Sequence, residues 1–358
     1  RTTTQISLDR LQVDSANDGD TQHLMRLAME STIRLSSADE VLDLMDASFH
    51  SAALGAALEL GLFWLLDAQP RKAEQVAQEL TIPLKRCHYW LQLLGQIGLI
   101  KEGPGGYQVS PTARAGILEA YSRETWELLA QEARDRLPGL LDLSTSLREP
   151  DSAWETLRLT PRMYLAEMEQ DPEVARRFTR MLYEIHQPLA EKLAEFLDFD
   201  GVEKLMDLGG GSGVVSLALL RRHSKLSATV VDLTNVCRSG REIAAESSLA
   251  ERITYHPANF LQDQLPTGFD LALECDVNVY SESLFRKVRR SLRRGGRFVI
   301  VDEFAPTEEI APPSRLHWAF ESSMIDPEFS FPTAATVTAF LEKAGFQILS
   351  VHSLPPLS

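Results

Sequence analysis

The spacing of apolar positions changes character a little past the middle of the chain. From residue 39 apolar side chains return every three or four positions, as in "DEVLDLMDASFHSAALGAALELGLFWLLD". That is the period of helices with one buried face. The next stretch, "QPRKAEQVAQELTIPLKRCHYWLQLLGQIGLIKEGPGGYQVS", reads as two short helices, a turn and a β-hairpin that reverses at "GPGG". Several more helices are expected between residues 120 and 200, with a break at Asp171-Pro172 and a kink at Pro188. After Gly201 short β-rich runs alternate with helical segments: "KLMDLG", "SATVVDL", "RITYHPA", "DLALEC", "RFVIVDEF" and "FQILSVHSL". Strands that alternate with helices predict βαβ units and a mostly parallel sheet. The pattern divides the chain into a polar arm (1–36), free or packed on another subunit, a winged-helix unit (37–118), a helical connection (119–200) and an α/β domain (201–358).

Charge and composition narrow the partners. A helix–turn–helix with a hairpin suggests DNA, but the formal net charge is −15, which repels a phosphate backbone. The candidate recognition helix, "PLKRCHYWLQLLGQIG", carries Lys85 and Arg86 only at its start, then Trp90, Leu91, Leu93, Leu94 and Ile97. A groove-reading helix needs a polar, basic outward face. A packing or dimerisation role is expected, and no nucleic acid partner. No run of 18 apolar residues marks a membrane span, and the polar start has no signal-peptide core. The chain does not open with Met, so its natural start is expected upstream. Three cysteines, Cys87, Cys237 and Cys275, make neither a disulfide framework nor a metal signature. A cytoplasmic location, no membrane partner and no bound metal are expected.

The most specific chemistry lies in "VEKLMDLGGGSGVVSLALL". A strand ends at Asp207, and Gly209, Gly210, Gly211 and Gly213 then lead into a helix. Ligands bind at this edge of a parallel sheet, where glycine lets backbone approach and the helix offers unpaired N–H groups. A G-x-G-x-x-G reading places Val214 where the third glycine of a dinucleotide fingerprint belongs, and no Gly-Lys-Ser/Thr follows as in a P-loop. The run is D-x-G-x-G-x-G. An acid at the strand end suits an ammonium group and not a pyrophosphate, which points to S-adenosylmethionine. The next strand ends at Asp232, 19 residues after Gly213, where an acid can accept both ribose hydroxyls; Leu233 follows it. Asn259 and Phe260, after a third strand, are placed to hold the adenine by hydrogen bond and stacking. Glu274 and Cys275 end the fourth strand and should border the sulfonium.

These segments, with "RRSLRRGGRFVIVDEFAP" and "FLEKAGFQIL", resemble the class I S-adenosylmethionine-dependent methyltransferases. More narrowly they resemble small-molecule O-methyltransferases with an N-terminal winged-helix dimerisation domain. "AALELGLFWLL" and "LLGQIGLIKEGPGGYQVSPTA" resemble that family's dimerisation domain. The resemblance implies an α/β fold, with a Rossmann-like seven-stranded methyltransferase sheet. It implies S-adenosylmethionine as cofactor, a small-molecule acceptor, and an intertwined homodimer whose N-terminal helices help to wall the partner's pocket. Asn259 stands where the family usually has Asp.

One departure is larger. Relatives that methylate a hydroxyl usually carry a His-Asp-Trp segment after the fourth strand, and its His removes the acceptor's proton. Here the chain reads "FDLALECDVNVYSESLFRKVRRSL", with neither His nor Trp. Three outcomes are open: methyl transfer to a hydroxyl, carbon or nitrogen with another base or none; a non-methylating reaction assisted by the cofactor, as in hydroxylase or pericyclase relatives; or loss of catalysis. A winged-helix regulator that senses a small ligand is the reading outside enzymes. The expected substitute for the base is His317 in "SRLHWAFESSMIDPEF", with Glu321 one helical turn on as its orienter and Asp302 at the end of the fifth strand. Neighbouring acids should raise the Cys275 thiol and keep it from acting as a nucleophile. Tyr164, Met168, Met181, His186, Trp318 and Met324 are candidate walls of an apolar, aromatic acceptor pocket.

Overall fold

The structure, a computed structural model, describes residues 2–9, 35–153, 164–307 and 310–354. The chain forms two compact units, Thr32–Asp142 and Leu143–Ser358, the second including Arg1–Ser31.

The N-terminal segment supplies a strand, β1 (Thr2–Asp9), discussed with the second unit. In the first unit, Ser37 caps helix α1 (Ala38–Glu59) by accepting the N–H of Glu40 at 3.2 Å. Helix α2 (Leu62–Ala68) follows Gly61, whose φ of +70° makes the corner between them. Helices α3 (Ala73–Glu79) and α4 (Leu84–Gln96) form the helix–turn–helix, and β2 (Ile100–Gly103) pairs antiparallel with β3 (Gly106–Val109) as the wing. Helix α4 turns Cys87, Leu91 and Leu94 inward, at spacings of four and three, onto Leu62, Phe63, Leu66 and Val76. Its apolar face is therefore core. Helix α5 (Arg123–Leu140) belongs to this unit, not to the expected helical connection. Its Arg134 reaches Glu59 of α1 at 2.7 Å, and its Trp126 donates to the carbonyl of Ile117 at 2.9 Å.

In the second unit, helices α6 (Tyr164–Gln170), α7 (Pro172–Ile185) and α8 (Gln187–Phe196) precede the sheet. Asp171 caps α7 by accepting from Glu173 and Val174. Pro188 does not kink one continuous helix. It stands in the first turn of α8, where its missing N–H costs nothing, and His186 is left at the junction.

Strands β4 (Lys204–Leu208), β5 (Ser227–Asp232), β6 (Ile253–Pro257), β7 (Phe269–Cys275), β8 (Leu292–Asp302) and β9 (Phe346–Leu354) join β1 in one seven-stranded sheet. The order is β6-β5-β4-β7-β8-β1-β9, and every pairing is parallel. The polar arm expected at 1–36 thus contributes a strand between β8 and β9. Its β-branched "TTTQISL" suits a position paired on both edges.

Alternate side chains along the strands face opposite layers. Leu205, Leu271, Leu273, Val299 and Val301 pack on one side, with α8 and with α9 (Val214–Arg222). Met206, Leu208, Ala272, Phe298 and Ile300 face the other, with α11 (Glu282–Ser291) and α13 (Ala334–Lys343). Helix α10 (Thr234–Ala245) joins β5 to β6, and α12 (Leu316–Ile325) follows β8. The chain leaves β4 toward β5 on one side, and β7 lies on the other. The crevice between β4 and β7 is the switch point where α/β sheets bind ligands. Among the described residues no single helix is long and apolar enough to cross a membrane.

Candidate active site

The glycine loop lies over the end of β4. Gly209 (φ +70°) and Gly211 (φ +55°) take left-handed conformations that other residues rarely adopt. A Cβ at Gly209 would sit 2.7 Å from a methyl of Val277 and 3.6 Å from the ring of Phe260. A Cβ at Gly211 would meet nothing within 4 Å, so open space lies over the middle of the loop. Gly213 opens α9, and the loop is pinned by its N–H to the carbonyl of Gly210 at 2.7 Å and by the Tyr255 hydroxyl to the carbonyl of Ser212 at 2.7 Å.

Two acids flank this loop. Asp232 accepts the N–H of Gly211 at 2.9 Å and that of Leu233 at 2.7 Å. Burial pushes it up to about 6 against those two bonds. Asp207 is 1% exposed and lies behind the loop, where it accepts the Ser216 hydroxyl at 2.6 Å. Burial raises it to about 6, with Asp232 adding to the shift. Leu233 and Met168 share a small buried cluster with Ala175 and Val236. Asn259 is half-buried, and its side-chain oxygen accepts the Leu261 N–H at 3.1 Å. Lys287 holds the same turn through the carbonyls of Phe260, Leu261 and Asp263 at 3.1, 2.9 and 3.0 Å. Periodicity does not reveal that clamp, because Lys287 sits on α11 among ordinary surface charges.

The ends of β7 and β8 carry more acids. Glu274 is fully buried, and neither carboxyl oxygen has a hydrogen-bond partner among the described residues. Burial, then Asp302, holds it well above the usual carboxylate range. Asp302 accepts from the Tyr280 hydroxyl, from Asn278 N–H at 3.2 Å and from Glu303 N–H at 2.8 Å. Burial raises it to about 6. The Cys275 thiol is pushed well above its usual value by burial and then by Asp276.

Beyond β7 the chain makes a strained rim, with Asp276 at φ +55° and Asn278 at φ +58°. Asp276 is the hub of an ionic chain drawn from four segments. It receives His186 Nε2 at 3.2 Å, Arg315 Nη2 at 2.9 Å and Asn278 Nδ2 at 3.2 Å. Arg315 Nε continues to Glu303 at 2.9 Å, where the Ser314 hydroxyl also donates at 2.9 Å. The other nitrogen of His186, Nδ1, lies 2.9 Å from the carbonyl of Leu182. Burial works against a charged His186, yet the bonds to Asp276 and Leu182 leave it raised above its usual value. Burial alone would raise Asp276, but His186 and Arg315 bring it below the usual range.

The residues expected to replace the base lie on α12 and at the end of β8. His317 is exposed on α12, Glu321 is half-buried one turn on, and Asp302 is engaged at the end of β8. Met181 is buried on α7 and Met324 on α12. Trp318, 37% exposed, meets Phe329 and Phe331 edge-on with centroids 5.3 and 5.1 Å apart. Tyr164 opens α6, and its side chain lies outside the described residues. The partnership of His186 with Asp276 was missed in the sequence. The available signals were a histidine just before a helix-starting proline and Asp and Asn, the residues most tolerant of positive φ, two apart after a strand.

An O-methyltransferase domain profile matches residues 152–347, and an O-methyltransferase dimerisation domain profile matches residues 42–117. The chain belongs to the O-methyltransferase family. It is a methyltransferase enzyme whose cofactor is S-adenosylmethionine. Among relatives, the 3-hydroxy-5-methyl-1-naphthoate 3-O-methyltransferase of Streptomyces sahachiroi is 30% identical over 275 residues, 75% of this chain and 78% of that protein. An N,N-dimethyltransferase of Streptomyces rimosus is 27% identical over 328 residues, 90% of this chain and 94% of that one. The fold is that of human N-acetylserotonin methyltransferase, solved in complex with S-adenosylmethionine, at a TM-score of 0.71 and 19% identity, covering 88% of this chain and 94% of that one.

Proposed function

We propose that this methyltransferase acts on a hydroxyl of a small, aromatic or polyketide-like secondary metabolite. Its cofactor lies in the crevice over Gly209–Gly213, along the rims of β6, β5, β4 and β7. The observation that carries the placement is the open space over Gly211, with a carboxylate bound to its N–H. The residues there fit a sulfonium nucleoside. Asp232 is placed for the ribose hydroxyls, Phe260 for the adenine face and Asn259 for the adenine amino group. Glu274 and Cys275 end β7, the strand beside β4, and are assigned to the sulfonium side of the crevice, and Asp207 braces the loop from behind on α9. Bound there, S-adenosylmethionine supplies a methyl group made electrophilic by its charge. The protein holds an acceptor in line with it and keeps water out.

The acceptor side is read from α7, α8 and α12. Trp318 with Phe329 and Phe331 offers aromatic surface, and Met181, Met324 and His186 extend the wall. The hydroxynaphthoate substrate named for a relative supports an aromatic acceptor. Two copies associate through the N-terminal unit, where Val41, Leu42, Met45 and Phe49 leave an apolar stripe exposed on α1 at helical spacing. The test is mass spectrometry of the purified protein for co-purified S-adenosylhomocysteine and any aromatic ligand, with calorimetry of S-adenosylhomocysteine and NAD. Binding of the dinucleotide and not the nucleoside sinks the placement.

A further inference from the structure

We propose that Lys287 is a positioning residue for the cofactor's base. It anchors the turn 259–263 so that Asn259 offers an acceptor to the adenine amino group, and it thereby sets a preference for adenine over hypoxanthine. The inference rests on the cofactor placement above and deepens it.

The turn is closed by its own bonds. The Asn259 carbonyl accepts the N–H groups of Gln262 and Asp263 at 2.9 and 2.7 Å. The Asp263 carboxylate accepts the Asn259 N–H at 2.8 Å, and the Asn259 side-chain oxygen accepts the Leu261 N–H at 3.1 Å. These bonds shape the turn without tying it to the rest of the domain. At its entrance the Ala258 N–H reaches the carbonyl of Asp232 at 2.8 Å. Beyond that point, among the described residues, every hydrogen bond from another element to the turn comes from Lys287.

Lys287 is suited to that task. The buried face of α11 is Leu284, Phe285 and Val288, and Lys287 stands half-buried beside it. Its apolar stem is packed there and its ammonium emerges at the turn. An ammonium has three N–H donors, and three carbonyls meet it, those of Phe260, Leu261 and Asp263 at 3.1, 2.9 and 3.0 Å. Nearby, Arg286 and Arg293 pair with carboxylates, Glu282 and Asp270, each at 2.8 Å. Among the described residues Lys287 has no carboxylate partner. An ammonium with all its donors engaged has none left for a ligand, so Lys287 acts through the turn.

The turn borders the cofactor loop. A Cβ at Gly209 would lie 3.6 Å from the Phe260 ring, so whatever fixes the turn also fixes a wall of the cradle. The Leu261 N–H can only donate, and this sets the amide of Asn259 with its oxygen as the acceptor. A carbonyl oxygen has two lone pairs, and the second is left for an incoming N–H. The amino group of adenine supplies that N–H. The carbonyl of hypoxanthine at the same ring position does not, and it would set two acceptors against each other. Without Lys287 the turn loses its side-chain anchor and frays more often. Affinity for the base and discrimination between bases then weaken together.

The experiment measures calorimetric affinities of wild type, K287M and K287R for S-adenosylhomocysteine and S-inosylhomocysteine. Hydrogen exchange of the cofactor-free proteins is followed by mass spectrometry. Met keeps the apolar stem without a donor, and the turn lies at the surface, where water meets the freed carbonyls, so K287M keeps the fold. Wild type should prefer the adenine compound about tenfold or more. K287M should bind S-adenosylhomocysteine about tenfold more weakly, and its preference should shrink at least about threefold. K287R, which still donates to the carbonyls, should recover part of both losses. Exchange over residues 259–263 should quicken in K287M while residues 209–213 stay as in wild type. A K287M affinity for S-adenosylhomocysteine within about twofold of wild type, an equal loss for both compounds, or unchanged exchange at the turn overturns the inference while the cofactor placement stands. So does a wild type that binds both compounds alike. A wild-type protein that binds neither removes the placement and the inference together.

Discussion

Around Gly211 the decisive polar contact joins residues 21 positions apart, and one partner is backbone. Around Asp276 the partners are side chains from 90 and 39 positions away. The Gly211 side of the rim is thus fixed by chain geometry: left-handed glycines, a helix start and an acid at the next strand end. The Asp276 side is fixed by charge: a histidine, two acids and an arginine brought from separate segments. A backbone-built site is hard to vary without losing its ligand. A side-chain-built site can be rewired one residue at a time, which suits a fold whose relatives carry names for O- and N-methylation.

Substitutions can break this contrast at its strongest point first. G209V sets a side chain on a φ of +70° and against Val277, and should weaken S-adenosylhomocysteine binding about a hundredfold by calorimetry. Unchanged affinity would show that the loop is not the cradle. D232A should weaken the cofactor about tenfold, as expected for losing hydrogen bonds to a charged acceptor. An effect under twofold would remove the ribose assignment.

The smallest effect expected is a pH dependence. Asp232 must be ionised to accept ribose hydroxyls, and burial places its titration at about 6. Its folded value is raised, so ionisation is complete only above that pH. Affinity should be level above pH 7 and fall about fivefold between pH 7 and pH 5. Calorimetry that shows no decline over that range breaks the link between the buried acid and the ligand.

The glycine bend was legible before any coordinates: Gly209 and Gly211 take left-handed conformations and Asp232 ends β5, because turn chemistry and strand ends are local properties of a chain. The helical unit was legible for the same reason: the spacing of Cys87, Leu91 and Leu94 marks one face of α4, and that face is core. Other features were not. "TTTQISL" is polar enough to read as an arm, and only its pairing between β8 and β9 makes it a strand. Helix α5 continues the helical pattern smoothly, and only its packing on α1 assigns it to the first unit. Asn259 has the composition of a ligand contact and also makes a local turn.

By itself the sequence determined the alternation of strand and helix, the glycine bend with its acids, and the lack of a His or Trp between Cys275 and Ser291. Period, backbone freedom and charge act between near neighbours, so they are written in the order of residues. Tertiary structure alone decided which histidine meets which carboxylate. Nothing in the spacing of His186, Asp276, Glu303 and Arg315 links them. They meet because α7, α8, β7, β8 and the segment before α12 close on one rim, where partial burial makes each charge depend on the next.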